Sequence, residues 1–160
     1  MEYFKQHVSR VKIQYERILL LKLSLSWHEM ILQLYFAAHY SCTSLEEVQS
    51  AYFNQTMVTL HPIAVYYRSE SGGLEHKRLM IVSDEMGHKS STVLTFIDEI
   101  MPLIRDIDSF VSRIRYWSDS STIQYRNKHI FYLIANHEQT YKIQTSWNYF
   151  EAGKGPRWHM

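Results

Sequence analysis

Polar residues that could do chemistry cluster after a short strand predicted at residues 113–117. Asp119 stands at the end of that predicted strand, and Arg126, Asn127 and Lys128 stand near the start of the helix predicted to follow it. Carboxylate oxygens are preferred ligands of Mg²⁺, so Asp119 is a candidate metal ligand, with a turn residue or helix cap as the alternative. The basic cluster is a candidate phosphate contact, with a solvated helix face as the alternative.

The remaining acids and histidines are less suited to a site. Residues 30–40 form an apolar run without an acid, and the phenol of Tyr35, whose ordinary pKa is about 10, is a poor Mg²⁺ ligand at neutral pH. His39 lies on the same run, where a neutral imidazole could bind a metal, but a structural role is favoured. The Asp84-Glu85 pair with His88 lacks two histidines at helical spacing, so we expect a solvated turn and assign no metal to it.

The composition is that of an ordinary folded domain. The chain has 160 residues, and its 17 Lys and Arg nearly balance 16 Asp and Glu, which excludes the overall basicity of a nucleic-acid coat protein. Cys42 is the sole cysteine, so no intrachain disulfide forms and we expect an intracellular protein. The longest apolar stretch, residues 18–25, is broken by Lys22 and is too short to cross a membrane, so no membrane partner is expected.

The hydrophobic pattern predicts an N-terminal amphipathic helix within residues 1–28, packed on one domain formed by residues 29–160. Five strands are predicted at residues 30–40, 56–68, 78–83, 113–117 and 141–150. Helices are predicted at about 43–52, at 92–107 with Ser90 or Ser91 as cap and a kink or division at Pro102, and from about Thr122 onward.

This order of elements predicts an α/β fold of the ribonuclease H-like kind, a mixed five-stranded sheet flanked by helices. Strands one to three are expected to be antiparallel, and strands four and five to run parallel to strand one. Strands one and four would lie side by side. Acids at their carboxyl ends would then meet, as two-metal phosphoryl transfer requires.

Six sequence blocks resemble, in the same order, transposase-derived proteins of animal genomes. They are EVQSAYFNQ (47–55), VTLHP (58–62), IVSDEMGH (81–88), YWSDS (116–120), QYRNK (124–128) and WNYFEAGKGP (147–156). The resemblance spans about residues 31–156. It implies a ribonuclease H-like core of the DDE type, which uses acidic residues and Mg²⁺ to cut and join DNA.

This sequence differs from that family at positions where the family has acidic residues. The family's first acid falls on Tyr35 and a nearby Glu on Ala38, whereas the second acid matches Asp119. In the closing block Lys154 directly follows glycine, and Arg157 with the next residue stands where the family has Cys-Asp. We therefore expect a degenerate, C-terminally truncated member of that family that binds DNA weakly at most. We expect no catalysis, because one aspartate cannot hold two metals.

The resemblance implies that Mg²⁺ is the cofactor of the family. We expect no bound Mg²⁺ in this chain, and Asp119 would be a weak ligand at most. DNA is the candidate partner, contacted by Arg126, Asn127, Lys128 and Lys154, and a nuclear location is one intracellular possibility. Two alternatives stay open. One is an active Mg²⁺-dependent nuclease or strand-transfer enzyme that borrows acids from elsewhere, and the other is a protein-interaction module that uses the N-terminal helix.

Overall fold

The apolar runs of the sequence form the strands of one mixed sheet, and the amphipathic segments form helices on both of its faces. The computed structural model describes residues 2–35, 39–42, 56–84 and 89–150. The elements in chain order are α1 (Glu2–Leu23), β1 (Glu29–Leu34), β2 (His39–Cys42), β3 (Thr56–Arg68), β4 (Leu74–Ser83), α2 (Ser90–Ile107), β5 (Arg113–Ser118), α3 (Lys128–Tyr141) and β6 (Gln144–Tyr149).

The sheet has six strands in the order β2-β3-β1-β5-β6, with β4 also paired to β3. The strands β1, β2 and β4 run antiparallel to β3, whereas β5 and β6 run parallel to β1. The mixed α/β class is therefore confirmed, but the count and order differ from the five strands expected. The difference arises because the predicted strand at residues 30–40 is divided.

The division falls just after Leu34. Leu34 pairs with Ile63 of β3, whereas His39 pairs with Thr59, so the register shifts by one residue between β1 and β2. At the break the backbone N–H of Tyr35 still donates to the carbonyl of Pro62 at 3.1 Å. Because of this one-residue shift, β1 and β2 do not form one continuous ladder along β3.

The main core lies between the sheet and the helices α2 and α3. Its buried members include Leu32, Ile63, Ile100, Ile114 and Ile130. Along β1 and β5 alternate residues face this core, because successive side chains of a strand point to opposite faces. Within α2 the buried residues follow helical spacing, and the helix continues through Pro102, so the expected division there is wrong.

The helix α1 packs on the opposite face of the sheet. Ile18 of α1 and Leu25 beyond it are buried against Ile31, Trp117 and Phe150, which form a second, smaller apolar cluster. No helix in the described part of the chain is long and apolar enough to span a membrane.

Three other elements begin at different residues from those predicted. α3 begins at Lys128 rather than near Thr122, because residues 122–125 form turns. β4 begins at Leu74, directly after the Gly72 turn, and β6 begins at Gln144 because α3 continues to Tyr141. The helix predicted at about 43–52 lies outside the described residues.

Candidate functional site

The carboxyl ends of β1 and β5 bring together the two positions that the sequence singled out. Gln33 pairs with Trp117 in the parallel register of these strands. Tyr35 follows the last residue of β1 and Asp119 follows the last residue of β5, so both residues stand at the carboxyl ends of these two adjacent parallel strands.

Tyr35 is a packed phenol at this edge. Its hydroxyl oxygen is buried. Burial raises the pKa of Tyr35, and the neighbouring phenols Tyr66 and Tyr15 raise it further. A neutral phenol has no anionic oxygen to offer, so Tyr35 does not fit a hard cation such as Mg²⁺.

Asp119 is exposed and is engaged as a turn residue. Its Oδ1 accepts a hydrogen bond from the backbone N–H of Ser121 at 2.9 Å, and its carbonyl accepts one from the Ser118 hydroxyl at 2.8 Å. The first of these bonds is the turn geometry that aspartate favours. One carboxylate beside a phenol cannot hold two divalent cations, so the pair does not fit the metal site that the family resemblance implies.

Asp84, another candidate acid, lies away from Tyr35. Asp84 follows β4 and lies four residues beyond Met80. Met80 pairs with Pro62 of β3, whose carbonyl accepts the hydrogen bond from the backbone N–H of Tyr35. Asp84 is therefore about 13 Å along the strands and about 10 Å across them from Tyr35. His39 lies in β2, and Glu85 and His88 are outside the described residues. Within residues 2–35, 39–42, 56–84 and 89–150, no group of three His, Cys, Asp or Glu side chains is placed to hold a metal.

A well-tethered loop, residues 119–127, carries the basic cluster. Asn127 caps α3, because its side-chain oxygen accepts from the backbone N–H groups of His129 and Ile130. Its amide nitrogen donates to the carbonyls of Thr122 and Ile123, both at 3.1 Å. Asn127 was predicted as a nucleic-acid contact, but these bonds occupy its side chain in holding the loop.

Arg126 and Lys128 are exposed beside this cap. Tyr149 supports the loop from β6, since its hydroxyl donates to the carbonyl of Tyr125 at 2.9 Å. The Arg126 guanidinium lies 6.0 Å from the centre of the Tyr149 ring, close enough for a cation–π contact. Both cations are thus presented to solvent by a fixed loop, whereas Lys154 lies outside the described residues.

The aromatic residues of β6 are structural. Trp147 stacks on Tyr116 with ring centres 4.7 Å apart, and its indole Nε1 donates to the Ser118 hydroxyl at 2.9 Å. Phe150 is buried against Trp117. These contacts are those of core aromatic residues.

A cationic groove, which we call the α1 groove, lies between α1 and β6 and was missed in the sequence. Its volume is about 630 Å³. Arginines reach it from two elements, Arg10 and Arg17 from α1 and Arg126 from the loop. The remaining lining residues are Gln14, Trp117, Ser120, Trp147, Asn148, Tyr149 and Phe150. The polar residues at positions 10, 14 and 17 share one helix face, and that spacing was the available signal.

The family described as a domain of unknown function, DUF8701, matches residues 14–157. The chain belongs to this family. The DUF8701 match includes Tyr35, Asp119 and two of the three groove arginines, and Arg10 precedes it. No curated protein sequence matches the chain.

Proposed function

We propose that this chain is a transposase-derived ribonuclease H-like domain that binds nucleic acid without cutting it. Two features of the sheet support that origin. With β2 taken as a continuation of β1 along β3, the strands pair in the order β4-β3-β1-β5-β6, with β1 and β5 parallel. This is the arrangement in which catalytic acids of such enzymes meet at the carboxyl ends of the two central strands.

One observation supports the loss of catalysis, namely that a phenol, Tyr35, follows β1 at the end of the sheet where Asp119 follows β5. In the proposed ancestry the first position is an acid, but here it is a half-buried phenol whose pKa is raised by desolvation. Asp119 accepts a hydrogen bond from the backbone N–H of Ser121 in its own turn, and in the described part of the chain it belongs to no group of three His, Cys, Asp or Glu side chains that could hold a metal. Removing a metal ligand from such a site abolishes most metal-dependent rate, so the domain keeps the scaffold without the chemistry.

Binding is supported by the cations beside the sheet edge. Lys128 and Arg126 stand exposed at the N-terminus of α3, where the helix dipole also favours an anion. Phosphate contacts of this kind supply affinity that does not depend on sequence. The near-neutral net charge keeps the expected affinity weak and sensitive to salt.

A cleavage assay tests the catalytic half of the proposal. Duplex and single-stranded DNA are incubated with the purified chain in Mg²⁺ or Mn²⁺, and no cleavage or joining above the protein-free blank is expected. Metal-dependent cleavage that disappears in Asp119→Ala would establish the alternative, an active nuclease or strand-transfer enzyme.

A salt titration tests the binding half. Lys128→Gln removes one exposed cation, and we expect it to weaken the binding of a labelled duplex and to lower the slope of log K against log salt by about 1. Lys77→Gln is the matched control, because Lys77 is an exposed lysine on β4 at the opposite edge of the sheet. Equal effects of the two substitutions, or no measurable duplex binding, would remove this half of the proposal.

The outer face of α1 favours a second candidate function, protein interaction through this helix. Leu19 is 57% exposed and Leu23 is 61% exposed, although Ile18 on the other side of the helix is buried. Light scattering over a range of concentrations measures self-association, which Leu19→Glu should abolish. A chain that stays monomeric throughout would leave self-association through this face without support.

A further inference from the structure

A second cleft, about 340 Å³ in volume, lies along the outer edge of β6, and we call it the β6 cleft. Three consecutive residues of β6 line it. Because successive side chains of a strand point to opposite faces, a cleft that meets all three must lie over the edge of the strand itself. The lining residues from β6 and α3 are Gln144, Thr145, Ser146, Ile134, Ala135 and Glu138.

The backbone of β6 turns hydrogen-bonding groups toward this cleft. β6 is the last strand of the sheet, and within the described residues no strand pairs with its outer side. The backbone N–H of Gln144 donates to the carbonyl of Ser112 at 2.9 Å, and that of Phe150 donates to the carbonyl of Ser118 at 2.8 Å. Alternate residues of a strand bond the same neighbour, so the even-numbered residues of β6 face β5 and the odd-numbered ones face outward. Thr145 therefore offers its N–H and C=O to a further strand.

The far end of this edge is covered by α1. The side-chain amide of Gln14 donates to the carbonyl of Tyr149 at 3.2 Å. Thr145 lies four residues before Tyr149, or about 13 Å along the strand, beside the β6 cleft. Outward-facing N–H and C=O groups of an edge strand are a template for a further strand, and extended peptides bind to proteins in this way. The β6 cleft therefore fits an extended peptide segment.

The α1 side of the cleft is positively charged. Arg113 and Arg115 line the cleft and pair with the same carboxylate, Glu29, at 3.2 and 3.3 Å. Two guanidinium charges against one carboxylate charge leave a net positive charge there. In the described structure Arg115 donates to Glu29 through Nη2 alone, and a guanidinium has five N–H donors. An acidic side chain can therefore bind Arg115 without displacing Glu29.

The α3 side of the cleft has the opposite charge. Glu138 is exposed there and forms no ion pair with any described residue. Ile134 lies one helical turn before it, next to Ala135, and both also line the cleft. A lysine or arginine side chain that faces α3 can lay its apolar stem along Ile134 and Ala135 and bring its charge to Glu138.

We infer that the β6 cleft binds an extended segment of another protein as an added antiparallel strand, and that this segment carries a basic residue between two acidic ones. The basic residue lies opposite Thr145 and exchanges both backbone hydrogen bonds with it. Thr145 faces the α3 side, because it pairs with the core residue Ile114. The basic side chain therefore meets Glu138, and its acidic neighbours point to the other face, toward Arg115. The inference goes beyond the proposed function and uses none of its residues.

The test uses the whole chain and a short, capped, fluorescent peptide with Glu-Lys-Glu at its centre between Thr and Val residues. Binding is measured by fluorescence anisotropy. A peptide of the same composition with Glu-Glu-Lys at its centre should bind about threefold more weakly or worse, because its charges face the wrong sides. Methylation of the lysine backbone nitrogen should weaken binding about tenfold, because it removes the donor to Thr145. Amide hydrogen exchange at Thr145 should slow when the Glu-Lys-Glu peptide binds.

Two pairs of variants test the two contacts. Thr145→Pro removes the outward N–H at an edge position where proline is tolerated, and it should weaken peptide binding about tenfold. Thr145→Val loses the same hydroxyl but keeps the N–H, so it should bind as the unmodified chain does. Glu138→Gln should weaken binding about threefold, whereas Glu99→Gln, at an exposed position of α2 outside the cleft, should not.

The inference is overturned if the Glu-Lys-Glu peptide does not bind at millimolar concentration, or if the reordered and methylated peptides bind as well as it does. It is overturned equally if Thr145→Pro and Thr145→Val bind alike. Self-association that Thr145→Pro abolishes would also overturn it, because a second copy would then occupy the edge. If Thr145→Pro fails to fold, the methylated peptide and Glu138→Gln decide. Duplex DNA binding should be unchanged in Glu138→Gln, so failure here leaves the proposed function untouched.

Discussion

Replacing Tyr35 by aspartate restores a carboxylate beside Asp119 and tests whether the two positions are neighbours. Complete truncation of a fully buried aromatic side chain costs about 3–5 kcal/mol. Tyr35 is only half-buried, so the loss of packing should be about 2 kcal/mol. Two carboxylates about 5 Å apart at the surface add a repulsion of about 1–3 kcal/mol. The total destabilisation of Tyr35→Asp is therefore about 3–5 kcal/mol.

The matched control is Tyr35→Asn, which loses the same packing without adding the charge. Urea unfolding of both variants in the presence of a metal chelator should show Tyr35→Asp less stable by the repulsion alone. Added Mn²⁺ should then stabilise Tyr35→Asp, by about 1.4 kcal/mol at roughly ten times the dissociation constant. Tyr35→Asn and the double variant with Asp119→Asn should not respond to the metal.

Nuclease activity should stay absent in Tyr35→Asp, because a pair of acids without a further anionic ligand does not complete a two-metal site. Identical unfolding of the aspartate and asparagine variants, with and without Mn²⁺, would refute the argument. It would mean that Tyr35 and Asp119 do not share the edge as the parallel register of β1 and β5 requires.

Three further predictions concern the scaffold. Burial lowers the pKa of His61 to about 3. The unfolded chain binds the proton first as pH falls below about 6.5, so stability should drop by about 2 kcal/mol between pH 7 and pH 5 in urea unfolding, and His61→Leu should reduce that drop. Asn127→Ala removes the cap and the loop hydrogen bonds and should lower the free energy of unfolding by about 1–2 kcal/mol in the same measurement. Asn127→Asp keeps a capping oxygen and should therefore lose less stability than Asn127→Ala. Tyr116→Phe deprives the buried His137 of a 2.9 Å partner and should lower stability by about 1–3 kcal/mol; an unchanged unfolding midpoint would contradict that bond.

The main strands could be predicted because their patterns are local. β3 has the bounds expected from its β-branched and aromatic residues, and α2 follows the spacing of its apolar face to within two residues. The start of α3 was predicted too early, near Thr122, because Asn127 is the N-cap of the helix. In the sequence Asn127 had been assigned to the candidate phosphate contact instead of to a cap. The break after Leu34 could not be predicted, because the apolar run continues through it and only pairing with β3 fixes the shift.

Sequence by itself determined which residue types are present at the candidate edge: a phenol at position 35, an aspartate at 119 and cations at 126 and 128. Only the parallel pairing of β1 and β5 places Tyr35 and Asp119, which are 84 positions apart in the chain, at the ends of adjacent strands. The α1 groove likewise depends on the tertiary structure, because Arg10 and Arg17 meet Arg126 only when α1 docks on the sheet through Ile18. The physical reason is that residue type sets what a side chain can do, but long-range packing decides which side chains act together.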